Sequence, residues 1–243
     1  MPKLNPNSYY IRQSETSKVS KKFVDKFGNT PDEIIKQVRK KMIHPCELPH
    51  NFDHTNWPRL QTAKDIEWEM TNQRFAFGVC RAFTLICVAI MRAKGIPARS
   101  RCGFATYFVP GIYEDHWIME YMQDNKWRLA DAQKLKMLVK PGEFINGAVA
   151  WQMVRKFGFD PKLLGFSGQK DMASFGIEYI IKNMIRDVSG LIKQELNYNN
   201  TVKLDKKLYN LSKKDYDEFD KISDMILKED IDSLQKLDMS GLI

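Results

Sequence analysis

The chain has 243 residues, of which 43% are hydrophobic and 12% aromatic, so it holds enough apolar side chains for a sizeable core. Its four cysteines lack paired spacing, which argues against a disulfide framework and favours a reducing, cytoplasmic location. No apolar run reaches membrane-spanning length and the residues after Met1 are polar, so we expect an intracellular protein without a membrane partner.

The net charge is +8, and the lysines are spread along the chain. Nucleic-acid binding is typically indicated by Arg and Lys interleaved with aromatic side chains on one element, and no such stripe is visible. A solvated lysine-rich surface is the simpler interpretation, and nucleic-acid binding remains a minor alternative.

The first clear element follows residues 1–29, which are polar and poorly periodic. Thr30 can cap a helix, Pro31 suits its first position and Glu33 can complete a capping box. Apolar residues at helical spacing continue to Met42, where we expect the helix to end because an X-Pro pair follows.

Several potential metal ligands then cluster in residues 44–62: His44, Cys46, Glu47, His50, Asp53 and His54. Three histidines with a cysteine and carboxylates are a set that can bind a metal. However, only His50 and His54 have i, i+4 spacing, and the prolines around them indicate a loop. We therefore predict a surface loop, with no metal and no cofactor.

Residues 63–76 are predicted to form a helix that leads into a turn at Gly78, where glycine lets the backbone turn sharply. The apolar residues of 83–91 repeat at helical spacing and predict the next helix. Gly95 and Pro97 mark its end, with glycine just past the helix and proline beyond it.

Cys80 falls in the first turn of this helix. The unpaired N–H groups and the positive end of the helix dipole favour a thiolate there, and they can also stabilise an oxyanion. Core packing is the usual role of a free cysteine, and we assign that role to Cys87 and Cys102.

A strand is predicted over residues 99–109, and a hairpin of two further strands follows it. The first strand of the hairpin runs from His116 to Met122, a turn forms at 124–125, and residues 126–131 form the second strand. Such a hairpin places the start of one strand near the end of the other, so His116 and Asp131 would be neighbours. An imidazole held by a carboxylate keeps the tautomer that faces a thiol, as a base for Cys80 requires.

These motifs together resemble the transglutaminase-like superfamily: Gly-x-Cys-x-x-aromatic at 78–83, Gly-Ile-Pro-Ala-Arg at 95–99, Asp-His-Trp at 115–117, and a later Trp with Asp131. The pieces at 43–45, 99–104, 131–133 and 186–187 resemble one bacterial branch of it. The resemblance implies a papain-like α+β fold, with a nucleophile helix packed on an antiparallel sheet and C-terminal helices. Position by position, it implies Cys80 as nucleophile, His116 as base and Asp131 as third member.

The chain departs from that branch in one place, because Ala82 stands where an acidic residue commonly follows the Cys-Arg pair. This departure leaves the substrate preference open. The paired Cys-x-x-Cys zinc site of the peptide N-glycanases is also absent. Gln73 and Trp117 are candidates for the oxyanion hole or cleft, although a surface glutamine and a core tryptophan are the plainer interpretations.

Helices are predicted for the remainder of the chain, at 148–154, at 174–197 and, as one or two amphipathic helices, at 216–237. Arg186 and Asp187 are either a buried polar contact or an exposed pair. We expect residues 1–170 to form the catalytic core with its N-terminal helices, and residues 171–243 a helical extension packed on that core.

The sequence thus predicts a cysteine-dependent enzyme that transfers or hydrolyses an acyl group through a thioester. A peptide, a protein or a small amide is the expected substrate, and either water or an amine is the acceptor. The alternative is a catalytically silent member of the same fold that binds peptide or protein.

Overall fold

The computed structural model describes residues 5–48, 60–168, 174–196, 208 and 211–238. Helices and strands alternate along the chain in an α+β architecture, which confirms the predicted fold class. None of the helices in the described part is long and apolar enough to cross a membrane.

The α-helices are α1 (Pro6–Tyr10), α2 (Lys21–Val24), α3 (Pro31–Lys41), α4 (Ala63–Asn72), α5 (Cys80–Ala93), α6 (Gly147–Phe157), α7 (Ile177–Leu191), α8 (Lys213–Leu227) and α9 (Ile231–Leu234). The strands are β1 (Met42–Ile43), β2 (Ala76–Phe77), β3 (Ala98–Ala105), β4 (Tyr113–Gln123), β5 (Lys126–Ala130), β6 (Phe144–Asn146), β7 (Leu164–Phe166) and β8 (Ser174–Phe175). Short 3₁₀ turns span Pro45–Glu47 and Pro161–Leu163.

The strands form two sheets in the described part of the chain. β1 and β2 make a small parallel pair, and the others are ordered β6-β3-β4-β7-β8, with β5 paired to β4. The β3–β6, β4–β5 and β7–β8 pairs are antiparallel, whereas β4 and β7 run parallel. The larger sheet therefore contains a parallel pair that the family resemblance did not imply.

The chain divides into two compact units that are interleaved in sequence. The first unit consists of Asn5–Ser100 and Trp117–Val139, and the second is built mainly from Arg101–His116 and Lys140–Ile243. Strands β3 and β4 each contribute residues to both units. The boundary predicted at residue 170, between a catalytic core and a helical extension, stays a prediction.

Helix α5 is the central element of the first unit, and its residues from Cys80 to Arg92 are all buried. A helix buried on every side needs neighbours on every side. Its neighbours come from several helices and from the strands, and include Phe23, Ile34, Ile35, Val38, Ile66, Met70, Ala98, Met119, Tyr121 and Ala130. The predicted packing of the cysteine helix on a sheet is thus present within this unit.

Local signals set the helix starts of the first unit. Thr30 and Glu33 form the predicted capping box of α3. An equivalent box of Thr62 and Asp65 begins α4. The predicted helix over 63–76 is too long, because α4 ends at Asn72 and the chain then extends to pair with β1.

The second unit packs α6 between α7 and α8. A Cβ atom at Gly147 would lie 2.4 Å from the main-chain nitrogen of Met184, so only glycine permits this close approach of α6 to α7. On the other side, the ring of Trp151 stacks on Tyr216 with centroids 5.8 Å apart, and its Nε1 donates to Asp220 at 2.7 Å.

Three predicted elements need correction. The helix expected from residue 174 begins at Ile177, because Ser174–Phe175 pairs with β7 as β8 and Gly176 separates strand from helix at φ 110°. It ends at Leu191, while its predicted end at residue 197 lies outside the described residues. The strand expected over 99–109 ends at Ala105, and the polar N-terminal stretch contains the short helices α1 and α2.

Candidate active site

Cys80 is the first residue of α5, as predicted. Val79 precedes it in extended conformation as the N-cap, and a valine side chain cannot accept hydrogen bonds from the first-turn N–H groups. No side chain of the described residues caps this 14-residue helix, and the positive end of a helix favours a negative charge such as a thiolate at Cys80. Cys80 is 6% exposed, whereas Cys87 and Cys102 are 0% exposed, so Cys80 is the least buried residue of these three.

His116 lies in β4, in the part of the strand that belongs to the second unit, and is 2% exposed. The rings of Tyr107 and Phe108 approach it edge-on, with centroids 6.1 and 4.7 Å away. Two aromatic rings thus pack against the imidazole.

The two carboxylates before His116 have other partners. Asp115 accepts hydrogen bonds from Tyr179 Oη at 3.0 Å and from Asn183 Nδ2 at 2.8 Å, both on α7. Glu114 accepts the main-chain N–H of Ser167, at 3.0 Å to Oε1. Burial raises the pKa of Glu114, while the hydrogen bonds from Ser167 and the charge of His116 oppose that shift.

Asp131 follows β5 in the first unit and is fully buried. Its Oδ1 accepts the N–H of Lys134 at 3.0 Å, and its main chain pairs with Lys136 in both directions at 2.8 and 3.0 Å. Burial, and then the negative charge of Asp131, raise the pKa of Cys87 on α5. The carboxylate is therefore near enough to α5 to act on that thiol.

The predicted hairpin is present. β4 and β5 pair antiparallel from Met119 with Ala130 to Gln123 with Lys126. Asp124 and Asn125 form the turn at φ 53° and 57°, the left-handed conformation that two-residue hairpin turns require. The residues of the turn were therefore sufficient to predict this hairpin.

Strand β4 is tied to the cysteine helix within the first unit. Thr84, one turn after Cys80, donates its hydroxyl to the carbonyl oxygen of Trp117 at 3.1 Å. Trp117 follows His116 directly in the chain, and it is Trp117 that this hydrogen bond joins to α5. Cys80 and Asp131 belong to this unit, whereas His116 is the last residue of the segment Arg101–His116, which belongs to the second unit.

The two weaker candidates have different environments. Gln73 is exposed and forms the C-cap directly after α4, where its N–H donates to the carbonyl oxygen of Glu69 at 2.8 Å. Trp117 is 1% exposed, and its Nε1 has no hydrogen-bond partner among the residues that the structure describes. A buried unpaired donor is uncommon, and it distinguishes Trp117 from a purely apolar core residue. An oxyanion or cleft role for either residue stays a prediction.

The loop considered as a metal site is only partly described. His50, Asp53 and His54 lie outside the described residues, whereas His44 Nδ1 accepts the N–H of Cys46 at 3.2 Å and Glu47 pairs with Arg39 at 2.6 Å. Elsewhere in the described ranges, no group of three or more His, Cys, Asp or Glu side chains could hold a metal ion.

The sequence did not single out Arg39, Tyr179 or Asn183. Arg39 looked like an ordinary polar position of an amphipathic helix, and Tyr179 and Asn183 lie more than 60 residues from their partner Asp115. A signal was present only for α7, where the paired Arg186 and Asp187 suggested a buried polar contact. That alternative is correct, because the two residues are 4% and 0% exposed.

The fold and these residues define an α+β protein with a cysteine at the start of a central buried helix. Residues 22–132, which include Cys80, His116 and Asp131, match the family model of the transglutaminase-like superfamily. The chain is thus similar to that superfamily over these residues, which confirms the resemblance drawn from its motifs. The match covers a little under half of the chain.

Among solved structures, the chain is similar to a candidate cysteine protease from Cytophaga hutchinsonii, at 20% sequence identity and a TM-score of 0.41. The similarity covers 60% of this chain and 48% of that one, so the chain spans about half the length of that protein. None of the functionally curated proteins matches the sequence.

Proposed function

We propose that the protein is a cysteine-dependent acyltransferase or amidase that acts on a peptide, a protein or a small amide. Cys80 is the nucleophile, His116 is the general base and Asp131 orients the imidazole. The observation that carries the proposal is the position of Cys80 at the uncapped start of α5, within the segment that matches the superfamily.

The reaction has two balanced halves. The sulfur of Cys80 bonds to the amide carbonyl carbon, the C–N bond breaks, and the thiol proton passes through His116 to the departing amine. Water or a second amine then gives a proton to His116 and bonds to the thioester carbon, the C–S bond breaks, and His116 passes that proton to the departing sulfur. The acceptor decides between hydrolysis and transamidation.

The environment of Cys80 supports this chemistry in two ways. First-turn N–H groups without a side-chain cap can stabilise both the thiolate and the oxyanion of the tetrahedral intermediate. Within the first unit, the hydroxyl of Thr84 also holds Trp117, the residue that follows the proposed base in the chain, to α5.

The test begins with the four thiols, which act as internal standards. The intact chain is labelled with a limiting amount of iodoacetamide at about pH 6, well below the ordinary thiol pKa of about 8.5, and each cysteine is quantified by mass spectrometry. We expect Cys80 to react faster than the exposed Cys46, and far faster than Cys87 and Cys102.

Turnover is then measured with casein as a general protein substrate, by ammonia release and by incorporation of a fluorescent primary amine. Cys80→Ala and His116→Ala should abolish either signal, whereas Cys46→Ala is the matched control that should retain it. A Cys80 no more reactive than Cys87, with activity unchanged in Cys80→Ala, would contradict the proposal. Peptide binding without turnover, unaffected by Cys80→Ala, would instead identify the silent binding member.

A further inference from the structure

The guanidinium group of Arg39 on α3 donates hydrogen bonds to three separate parts of the first unit. Nε donates to the carbonyl oxygen of Gln133 at 3.0 Å, Nη1 donates to that of Met42 at 3.0 Å, and Nη2 donates to Oε1 of Glu47 at 2.6 Å. The guanidinium carbon also lies 5.8 Å from the centroid of the Phe83 ring. One side chain thus joins segments that are far apart in sequence.

Two of these contacts lead towards Cys80. Met42 begins β1, which pairs with β2, the strand directly before the turn into α5. In that turn the N–H of Gly78 donates to the carbonyl oxygen of Ile43 at 3.1 Å. Phe83 lies on α5 itself, one turn beyond Cys80. Arg39 therefore holds both the approach to the cysteine and the helix that carries it.

Another contact leads towards Asp131. The main chain of Asp131 pairs with Lys136 in both directions, and its Oδ1 accepts the N–H of Lys134 at 3.0 Å. These hydrogen bonds close a short turn, and Gln133 lies inside it. Because Arg39 donates to the Gln133 carbonyl, the turn that begins with Asp131 is anchored to the same guanidinium as the approach to Cys80.

We propose that Arg39 is a positioning residue, which fixes the start of α5 with Cys80 relative to the turn that begins with Asp131. The inference rests on the proposed function, since the relative placement of these two residues matters only if both serve one reaction. Under this inference the activity depends on Arg39, although Arg39 does not touch the reacting atoms.

The contact geometry explains why this position needs arginine. A planar guanidinium directs N–H groups towards several acceptors at once, whereas a lysine ammonium is a single point charge on a flexible stem. The ion pair with Glu47 is partly exposed, at 26% and 34% of the side-chain surfaces, so it adds little to stability. The positioning role of Arg39 therefore depends mainly on its hydrogen bonds to the carbonyl oxygens of Gln133 and Met42.

The test measures the pH dependence of Cys80 alkylation by iodoacetamide in the intact chain, for the wild type, Arg39→Gln and Arg39→Lys. A misplaced Asp131 weakens the imidazolium that pairs with the thiolate, so the thiolate forms only at higher pH. We expect both variants to move the profile up by about one pH unit, which lowers the alkylation rate of Cys80 at pH 6 about tenfold. Lys40→Gln is the matched control, because it removes an exposed charge from the next position and should stay within about twofold of wild type.

Each result leads to a decision. If wild-type Cys80 titrates like an ordinary thiol, the proposed function fails and the role of Arg39 falls with it. If wild-type Cys80 is activated but Arg39→Gln follows the same profile, only the positioning inference is overturned. A wild-type profile in Arg39→Lys would also overturn it, because charge alone would then suffice. Circular dichroism checks folding, and Arg39→Lys decides the question if Arg39→Gln does not fold.

Discussion

The buried ion pair of Arg101 and Asp187 offers the sharpest test of what holds the second unit together. Nε and Nη2 of Arg101 both donate to the Asp187 carboxylate at 2.9 Å, and the main-chain N–H of Cys102 donates to the same carboxylate at 2.9 Å. The two side chains are 7% and 0% exposed. Removing the carboxylate therefore deletes all three of these hydrogen bonds, two of which come from a buried charge.

Asp187→Ala is expected to lower the free energy of unfolding by about 4 kcal/mol, because breaking a buried ion pair costs about 3–5 kcal/mol. In urea, with a slope of about 2–3 kcal/mol per molar, this shifts the unfolding midpoint down by about 1–2 M. The measurement is equilibrium unfolding followed by circular dichroism and tryptophan fluorescence together, to check that both report one transition.

A double variant separates the cost of an unpaired buried charge from the cost of altered packing. Arg101→Met combined with Asp187→Leu removes both charges and keeps apolar volume, so it should lose less stability than Asp187→Ala alone. Asp124→Asn is the matched control, since its ion pair with Arg128 is 3.4 Å long and exposed, and it should cost under about 1 kcal/mol. A loss below about 1 kcal/mol in Asp187→Ala would refute this reasoning, and so would a double variant whose loss equals the sum of the losses in Arg101→Met and Asp187→Leu measured alone.

Two further changes probe the second unit. Hydrogen bonds from Arg155 and Trp151 lower the pKa of Asp220, so its contribution to stability is present above the unfolded pKa of about 4 and is lost as the pH falls through the lower folded value. Asp220→Asn should flatten that acid-side loss in unfolding measured from pH 2 to 7, and an unchanged pH dependence would count against it. A Cβ atom at Gly103 would lie 2.1 Å from the carbonyl oxygen of Ile145, so Gly103→Ala must displace β6. A thermal midpoint several degrees lower is expected from a cost of about 1–3 kcal/mol, and an unchanged midpoint would show that the strands can separate freely.

Short-range chemistry explains which elements the sequence predicted well. The cap of α3 needs only Thr30 and Glu33, and the hairpin turn needs only the pair at 124–125. The start of α5 follows from Gly78 and the periodic run after it. All of these signals lie within a few residues of the feature that they determine, so the order of neighbours in the sequence was sufficient.

Short-range sequence patterns did not predict the features that depend on partners far away in the chain. Ser174 and Phe175 look like the start of a helix, yet they pair with β7 because strand partners come from elsewhere in the chain. Arg39 meets Gln133 across 94 positions, and Arg101 meets Asp187 across 86. No periodicity or cap marks a residue whose partner is set by tertiary packing.

The distinction between Cys80 and Cys87 shows how local and distant effects combine on one helix. Both residues lie on α5, seven positions apart, but the helix dipole favours negative charge only at its first turn. At Cys87, complete burial and the nearby charge of Asp131 raise the pKa, so that thiol stays protonated. The carboxylate that we propose as the orienting group thus disfavours a thiolate deep in the core. Selective alkylation of Cys80 over Cys87 would therefore support a reactive thiol at the start of α5 and an inert one in its interior.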